Sequence, residues 1–181
     1  MRTYIALLRG VNVSGTKKIK MADLKVMLEE FGFANVQTYI QSGNIIFKSE
    51  SNKDKELAEK IKNGIHDVFG FDVPVLVKTK TEIIQILEES PYKKAEDIAA
   101  KKIYYTLLKS TPKQENITQL DQKKYPNELF KITKNCVYLN CLKGAGNAKL
   151  NNNSIERKLK VQATTRNHRT MLKLIEISEE I

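Results

Sequence analysis

Basic side chains are concentrated in two segments of this sequence, where they could bind an anion. Residues 9–20 contain four cations and no carboxylate, and residues 143–173 contain eight cations and one carboxylate, Glu156. The rest of the chain is close to neutral, although the whole chain carries a net charge of +10. Lysine and arginine are the side chains that bind phosphate and carboxylate groups. The two segments therefore predict an anionic partner without identifying it.

The first segment, RGVNVSGTKKIK, lies between a predicted strand and a predicted helix, where many α/β proteins bind phosphate. Residues 10–17 approach the P-loop pattern G-x-x-x-x-G-K-[ST], but Thr16 precedes Lys17, so the lysine and the hydroxyl stand in the wrong order. A glycine turn that tucks its valines inward is one alternative. A simpler loop, in which backbone amides bind an anion together with Arg9 or Lys18, is another.

The second segment leads into a predicted last helix over residues 166–177, with Thr164 or Thr165 as its N-cap. Its first turn would hold Arg166, Asn167, His168 and Arg169. A helix N-terminus favours acidic residues by about 0.3–1 kcal/mol, so cations there are unfavourable unless an anion lies opposite. In the alternative interpretation, the arginines extend into water or pair with carboxylates of another element.

Apolar periodicity predicts the elements that position these segments. A β-α-β-β-α-β order is predicted, with strands at 3–8, 35–41, 45–48 and 73–77 and helices at 21–31 and 51–69. A second β-α-β-β-α order follows, with its last strand weak or missing, and has strands at 102–108, 129–133 and 136–142 and helices at 112–124, 154–159 and 166–177.

These orders predict an α+β fold of two ferredoxin-like halves with antiparallel sheets. The halves would cover residues 1–79 and 102–181, with a helical connector at 80–101. In the connector, Thr79 and Glu82 form a capping-box pattern that begins a helix, and Ser90-Pro91 ends it.

The sequence predicts no metal site, cofactor or catalytic residue. It has two histidines, His66 and His168, and its two cysteines lack a C-x-x-C spacing. Cys136 and Cys141 should point to opposite faces of one strand, one in the core and the other half-exposed. Few cysteines, no signal peptide and no apolar run of ~18 residues predict a cytoplasmic protein.

An RNA-recognition type of sheet has weak support in the sequence. Such sheets stack bases on several aromatic side chains of the third and first strands. The third predicted strand contains one aromatic residue, Phe47. Tyr4 and Tyr39 could add their rings to the same stacking surface.

Three segments, LLRGVNVSGTKKIKMADLKVMLEEFGF, VQTYIQSGNIIF and ATTRNHRTMLKL, together resemble the bacterial family called domain of unknown function (DUF) 1697. The resemblance implies two ferredoxin-like halves and supplies no established activity. The recurring positions of the family correspond here to Arg9, Gly10, Asn12, Gly15, Lys20, Met21, Leu24, Ser42, Gly43, Asn44, Arg166, Asn167 and Thr170. At the position of His168 the family commonly has an aromatic residue. If that ring stacks on a ligand, His168 would stack less strongly in its place or would add a titratable group.

The leading hypothesis is a phosphate-bearing ligand, either nucleotide-like or a nucleic acid backbone, bound at one basic site. The site would join the 9–20 loop, the 42–44 turn and the start of the last helix, through Arg9, Gly10, Asn12, Lys18, Lys20, Ser42, Asn44, Arg166, Asn167, His168 and Arg169. The arginines would supply charge, and the three asparagines would supply neutral hydrogen bonds. A second hypothesis is an enzyme acting on a phosphorylated or carboxylate metabolite, with His168 as acid or base. A third is a docking module for an acidic protein.

Overall fold

Two β-α-β-β-α-β repeats follow each other in the computed structural model, which describes residues 1–13 and 15–181. In the first repeat the strands are β1 (Arg2–Leu8), β2 (Ala34–Tyr39), β3 (Asn44–Ser49) and β4 (Val75–Thr79), and the helices are α1 (Met21–Glu30) and α2 (Asp54–Phe69). The strands pair antiparallel in the order β2-β3-β1-β4. This arrangement is the ferredoxin-like one that the sequence predicted.

The second repeat follows two connecting helices, α3 (Lys80–Glu88) and α4 (Ala95–Ala99). Its elements are β5 (Ile103–Leu108), α5 (Gln114–Asp121), β6 (Glu128–Ile132), β7 (Cys136–Cys141), α6 (Asn152–Leu159), β8 (Ala163–Asn167) and a last helix, α7 (His168–Glu180). The sheet order is β6-β7-β5-β8, which repeats that of the first sheet. The predicted α+β class with two ferredoxin-like halves is confirmed.

The sequence predicted that the last strand would be weak or missing and that the last helix would begin at residue 166, and both predictions were wrong. Residues 163–167 form β8, which pairs with β5 from Leu108↔Ala163 to Tyr104↔Asn167, so the last strand is present and Arg166 lies in a strand. The last helix begins at His168 rather than at residue 166. Beyond Ala163 and Thr164, the side chains of this strand are only half-buried, so no apolar alternation marks it. Its backbone hydrogen bonds come from a strand about sixty residues away.

The core of the first repeat lies between one face of its sheet and the helices α1 and α2. Tyr4 and Phe47 belong to this core, and their rings stack with centroids 5.8 Å apart. The ring of Phe33 meets that of Phe47 edge-on at 4.7 Å. Because Tyr4 and Phe47 are buried, they cannot stack on nucleobases, and of the three aromatic residues named for an RNA-recognition sheet Tyr39 alone is half-buried.

The second repeat has a core of its own, in which Val137, Leu139 and Cys141 of β7 pack with Ile155 and Leu159 of α6. Cys136 and Cys141 are both free thiols and both buried. The expectation that one of them would be half-exposed was therefore wrong. The sequence could not show it because β7 is an interior strand whose six residues are all buried.

The chain divides into two compact units, one of which is discontinuous in sequence. Unit 1 is Met1–Ile84 with Lys173–Ile181, and unit 2 is Gln85–Leu172. The end of the last helix thus belongs to unit 1. The domain bounds expected from the sequence, 1–79, 80–101 and 102–181, stay a prediction. In the described part of the chain, every helix is too short or too polar to cross a membrane.

Candidate anion-binding site

Asn12 holds together the loop between β1 and α1. Its amide Nδ2 donates to the main-chain oxygens of Ile19 and Gln41, each at 2.8 Å, and its Oδ1 accepts from the main-chain nitrogen of Ile19 at 2.9 Å. Its backbone is left-handed, with φ 54°, which asparagine tolerates better than most residues. Since both amide hydrogens are already donated, Asn12 positions the loop and does not offer a donor to a ligand.

The Ser42-Gly43-Asn44 turn is packed against the same loop. The main-chain nitrogen of Leu8 donates to the oxygen of Gly43 at 2.8 Å. Asn44 is fully buried, and its Nδ2 donates to the oxygen of Tyr39 at 2.9 Å and to the Oγ of Ser42 at 3.0 Å. Because Asn12 of the loop donates to Gln41, the residue before the turn, the loop and the turn lie side by side, and Asn44 acts in building the turn.

Backbone amides of the 9–20 loop are also used within unit 1. The nitrogen of Asn12 donates to the oxygen of Lys17 at 3.2 Å, and that of Thr16 donates to the oxygen of Val13 at 3.0 Å. Amides turned toward their own loop cannot line a phosphate cradle, which argues against a P-loop. Of the two valines, Val11 packs inward and Val13 is 53% exposed, so the inward-turn interpretation holds for one. Ser14 lies outside the described residues.

The cations of this loop differ in what they contact. The Nζ of Lys17 donates to the main-chain oxygen of Asp72, and Arg9 is half-buried, with its main-chain nitrogen bonded to Pro74 at 3.0 Å. Gly10 is exposed with φ 72°. The side chains of the two remaining cations are exposed, and these are Lys18 and Lys20.

In unit 2 the junction of β8 and α7 uses its polar residues to begin the helix. The Oδ1 of Asn167 accepts from the main-chain nitrogen of Thr170 at 2.8 Å, which makes Asn167 the N-cap in place of the predicted threonines. Arg166 donates from Nη1 to the oxygen of Thr165 at 2.9 Å, and burial lowers the pKa of Arg166 to about 10. Its guanidinium is still charged at neutral pH. Since Arg166 lies in β8, the arginine in the first turn of α7 is Arg169, and its side chain is exposed.

His168 belongs to an aromatic cluster of unit 2. Its Nδ1 lies 2.8 Å from the hydroxyl of Tyr105, and the two rings are stacked with centroids 5.8 Å apart. Burial lowers the pKa of His168 and raises the pKa of Tyr105. At neutral pH the tyrosine therefore donates its hydroxyl hydrogen to a neutral imidazole. The ring of Tyr138 meets that of Tyr105 edge-on.

A small basic cavity in unit 2 was not predicted as a site. It measures about 140 Å³ and is lined by Asn116, Gln119, Leu120, Lys123, Arg157, Lys158 and Lys160. The Nδ2 of Asn116 donates to the oxygen of Leu159 at 3.3 Å, which ties α5 to α6 beside the cavity. Arg157, Lys158 and Lys160 belong to the second basic segment of the sequence. Lys123 comes from a near-neutral part of the chain, and only the packing of α5 on α6 brings it to them.

No opposite charge lines this basic cavity among the described residues. Within residues 1–13 and 15–181, none of its four cations forms an ion pair. By contrast, Lys62, Lys78 and Lys102 each have a carboxylate partner within 4 Å. The cavity therefore gathers cations that the fold does not neutralise.

An open groove of about 620 Å³ adjoins the basic cavity, because Lys123 lines both. It is lined by Tyr92, Asp121, Lys123, Lys124, Tyr125, Pro126, Glu128, Leu129 and Phe130. The rings of Tyr125 and Phe130 meet edge-on with centroids 5.7 Å apart, and Leu129 is 49% exposed. We call this surface the aromatic groove.

Of the carboxylates in the aromatic groove, that of Glu128 is already used. It is buried, and its Oε1 accepts from the main-chain nitrogens of Lys149 and Leu150. Asp121 is exposed and lies at the end of α5. Across the described part of the chain, no group of three or more His, Cys, Asp or Glu side chains could hold a metal ion.

Comparisons with known proteins agree with this fold and supply no activity. The model of the family described as protein of unknown function (DUF1697) matches residues 1–138, which confirms the resemblance to this family. The first two quoted segments lie within the matched residues, and the third, at residues 163–174, lies outside them. A conserved bacterial protein from Streptococcus pneumoniae has a similar structure, with a TM-score of 0.75, 22% identity and 98% coverage of both chains. At that identity the likeness concerns the fold alone. No curated protein matches the chain.

Proposed function

We propose that this chain, which belongs to the DUF1697 family of proteins of unknown function, binds a phosphate-bearing ligand at the basic cavity between α5 and α6. The observation that carries the proposal is the placement of Lys123, Arg157, Lys158 and Lys160 around one cavity without an ion pair to a described residue. The ligand would be nucleotide-like or a nucleic acid backbone. The setting would be the cytoplasm, in keeping with two free thiols.

The size and charge of the cavity support an oxyanion. At about 30 Å³ of liquid volume per water molecule, the 140 Å³ cavity has room for roughly four or five waters, which is ample for a phosphate group. Arg157 could bind two phosphate oxygens at once, and the lysines could add single charges. Like charges around one cavity repel each other, and a bound anion would relieve that repulsion.

Two of the four cations of the basic cavity also stabilise the helix α6, and this role needs no ligand. Arg157 and Lys158 lie in its last turn, where cations are favourable by about 0.3–1 kcal/mol without any ligand. This effect does not involve the cavity, so it predicts no response to phosphate. Binding therefore has to be compared between charges inside and outside the cavity.

Thermal unfolding with inorganic phosphate tests the proposal. A phosphate concentration of 100 times the dissociation constant should stabilise the protein by about 2.7 kcal/mol. For a chain of this size that is a rise of roughly 5–11 °C in Tm, beyond the effect of sodium chloride at equal ionic strength. The variant K123A/R157A should lose this rise.

The matched control is K55A/K134A, which removes the same charge from exposed positions outside the basic cavity and outside the predicted site. If both double variants lose the phosphate response equally, net charge rather than the cavity binds the anion. A wild type that responds to phosphate no more than to chloride would overturn the proposal. That outcome is also what the acidic-partner hypothesis predicts.

The other residues of the predicted site remain candidates for additional phosphate contacts, above all Lys18, Lys20 and Arg169, which are exposed. The enzyme hypothesis has less support. Its acid or base, His168, has Nδ1 engaged by Tyr105 and lines neither the basic cavity nor the aromatic groove.

A further inference from the structure

We infer that the ligand of the basic cavity is a nucleotide whose base lies in the aromatic groove, an inference that rests on the proposed phosphate binding. The juxtaposition is direct, because Lys123 lines both the basic cavity and the aromatic groove. A ligand with its phosphate in the cavity would thus have an apolar surface beside it, and a nucleotide joins these two chemical parts.

The aromatic groove has the dimensions and surface of a base-binding site. Its volume of about 620 Å³ falls within the roughly 300–1,000 Å³ of small-molecule sites. Tyr125 and Phe130 are half-buried, pack against the core of the second repeat and also line the groove. Pro126 and Leu129 extend the apolar surface and are exposed. Flat rings held in this way are suited to stacking on a nucleobase.

The charges along the two surfaces orient the ligand. In the basic cavity four cations line the wall, and no carboxylate is found among its described lining residues. In the aromatic groove Lys123 and Lys124 are balanced by Asp121 and Glu128. Phosphate is therefore favoured at the cavity, and the uncharged base and ribose are favoured in the groove.

Two side chains of the groove could add hydrogen bonds. Asp121 is exposed, and its carboxylate could accept from a ribose hydroxyl or an exocyclic amine. Burial raises the pKa of Tyr92, so its hydroxyl is a neutral donor at physiological pH. The carboxylate of Glu128 is held by the main chain of Lys149 and Leu150, so it is already partly compensated.

The test compares ligands that differ in the base alone. Affinities for AMP and for ribose 5-phosphate are measured by isothermal titration calorimetry with the full chain at fixed ionic strength. Stacking of one base should make AMP bind roughly 5- to 150-fold more tightly. Inorganic phosphate is the third probe and reports the cavity by itself.

Variants then locate the base. Y125L keeps an apolar side chain but removes the flat ring, so it should bring AMP to the affinity of ribose 5-phosphate without changing that of phosphate. F130L removes the other ring of the aromatic groove, and it is read in the same way if Y125L does not fold. Y39L replaces a half-buried tyrosine of unit 1 and should leave the ratio unchanged. R157A should weaken all three ligands.

The two ideas fail in different ways. Equal affinity for AMP and ribose 5-phosphate, with phosphate still bound at the cavity, overturns the nucleotide and leaves the proposed function intact. If none of the three probes binds, both fail. A short single-stranded oligoribonucleotide forms a further arm. If the oligoribonucleotide binds more tightly than AMP and its affinity depends steeply on salt, nucleic acid is the source of the base and phosphate. If it binds more weakly than AMP, the source is a free nucleotide.

Discussion

Replacing Gly43 by alanine should destabilise the protein because the turn between β2 and β3 approaches β1 too closely for a side chain. An added Cβ would lie 2.6 Å from the Cβ of Leu8 and 2.7 Å from the Cγ2 of Val11. Leu8 and Val11 are buried, at 0% and 1% exposure, so neither can move into solvent. The turn cannot withdraw either, since the oxygen of Gly43 accepts a 2.8 Å hydrogen bond from Leu8.

The magnitude follows from two separate costs. Gly43 has φ 73°, a left-handed conformation that costs an L-residue roughly 1–2 kcal/mol. Forcing a methyl group into a packed core typically costs about 1–3 kcal/mol more. The lower entropy of alanine in the unfolded chain opposes these costs by about 0.4–1 kcal/mol. The free energy of unfolding should therefore fall by about 1–5 kcal/mol.

Gly10→Ala isolates the second cost. Gly10 has nearly the same φ, 72°, but no heavy atom lies within 4 Å of an added Cβ. The two variants should differ by the overpacking alone, about 1–3 kcal/mol. At roughly 2–4 °C per kcal/mol, the Tm of Gly43→Ala should lie about 2–12 °C below that of Gly10→Ala in thermal unfolding followed by circular dichroism. Equal Tm values would refute the close approach as the reason for glycine at position 43.

Three further predictions concern polar and titratable groups. Asn12→Ala should lower the free energy of unfolding by about 1–3 kcal/mol, because carbonyl and amide groups of the loop lose their partners; chemical denaturation measures this. The pKa of His168 should lie below 6.5 in an NMR titration, and the free energy of unfolding should fall as the pH drops through 6.5 because the unfolded chain binds the proton more readily. Burial raises the pKa of Cys141 to about 11 and holds that of Cys136 well above its usual range, so a thiol reagent at pH 8 should react at the rate of unfolding.

Each of these has a control within the chain. Asn35 also has a left-handed backbone, with φ 51°, and is exposed, so Asn35→Ala separates backbone strain from lost hydrogen bonds; an equal loss in both variants contradicts the role of the Asn12 side chain. His168→Gln should remove the fall in stability near pH 6.5, and a His168 pKa at or above 6.5 contradicts its burial. Fast labelling of the folded protein contradicts buried thiols.

Local patterns in the sequence were sufficient for much of the fold. The capping box at α3 is present, with the main-chain nitrogen of Thr79 donating to the Oε2 of Glu82 at 2.8 Å and that of Glu82 donating to the Oγ1 of Thr79 at 3.2 Å. The helix α2 ends at Gly70 in a left-handed conformation, as its position after the apolar stripe indicated. Such features depend on residues three to four positions apart, so one segment contains all the information.

Local patterns could not predict how the asparagines of the predicted site are used. Asn12, Asn44 and Asn167 were expected to supply neutral hydrogen bonds to a ligand, and in the structure each also bonds to the main chain nearby. An asparagine amide has the same donor and acceptor groups as a peptide unit, so it readily completes a loop or caps a helix. Composition cannot distinguish that use from ligand binding, because the distinction depends on which backbone groups remain unpaired after folding.

The charge of the chain is best understood by asking which cations the fold already uses. Lys17 donates to a main-chain oxygen of unit 1, and Arg166 donates to a main-chain oxygen of unit 2. Both belong to the basic segments from which an anion site was predicted, yet they contribute to the architecture. Lys123 and Arg157 come from different helical regions, meet at one cavity and form no ion pair with a described residue. A cation that folding brings to a cavity without a partner is stronger evidence for an anionic ligand than a cation that is only close to others in sequence.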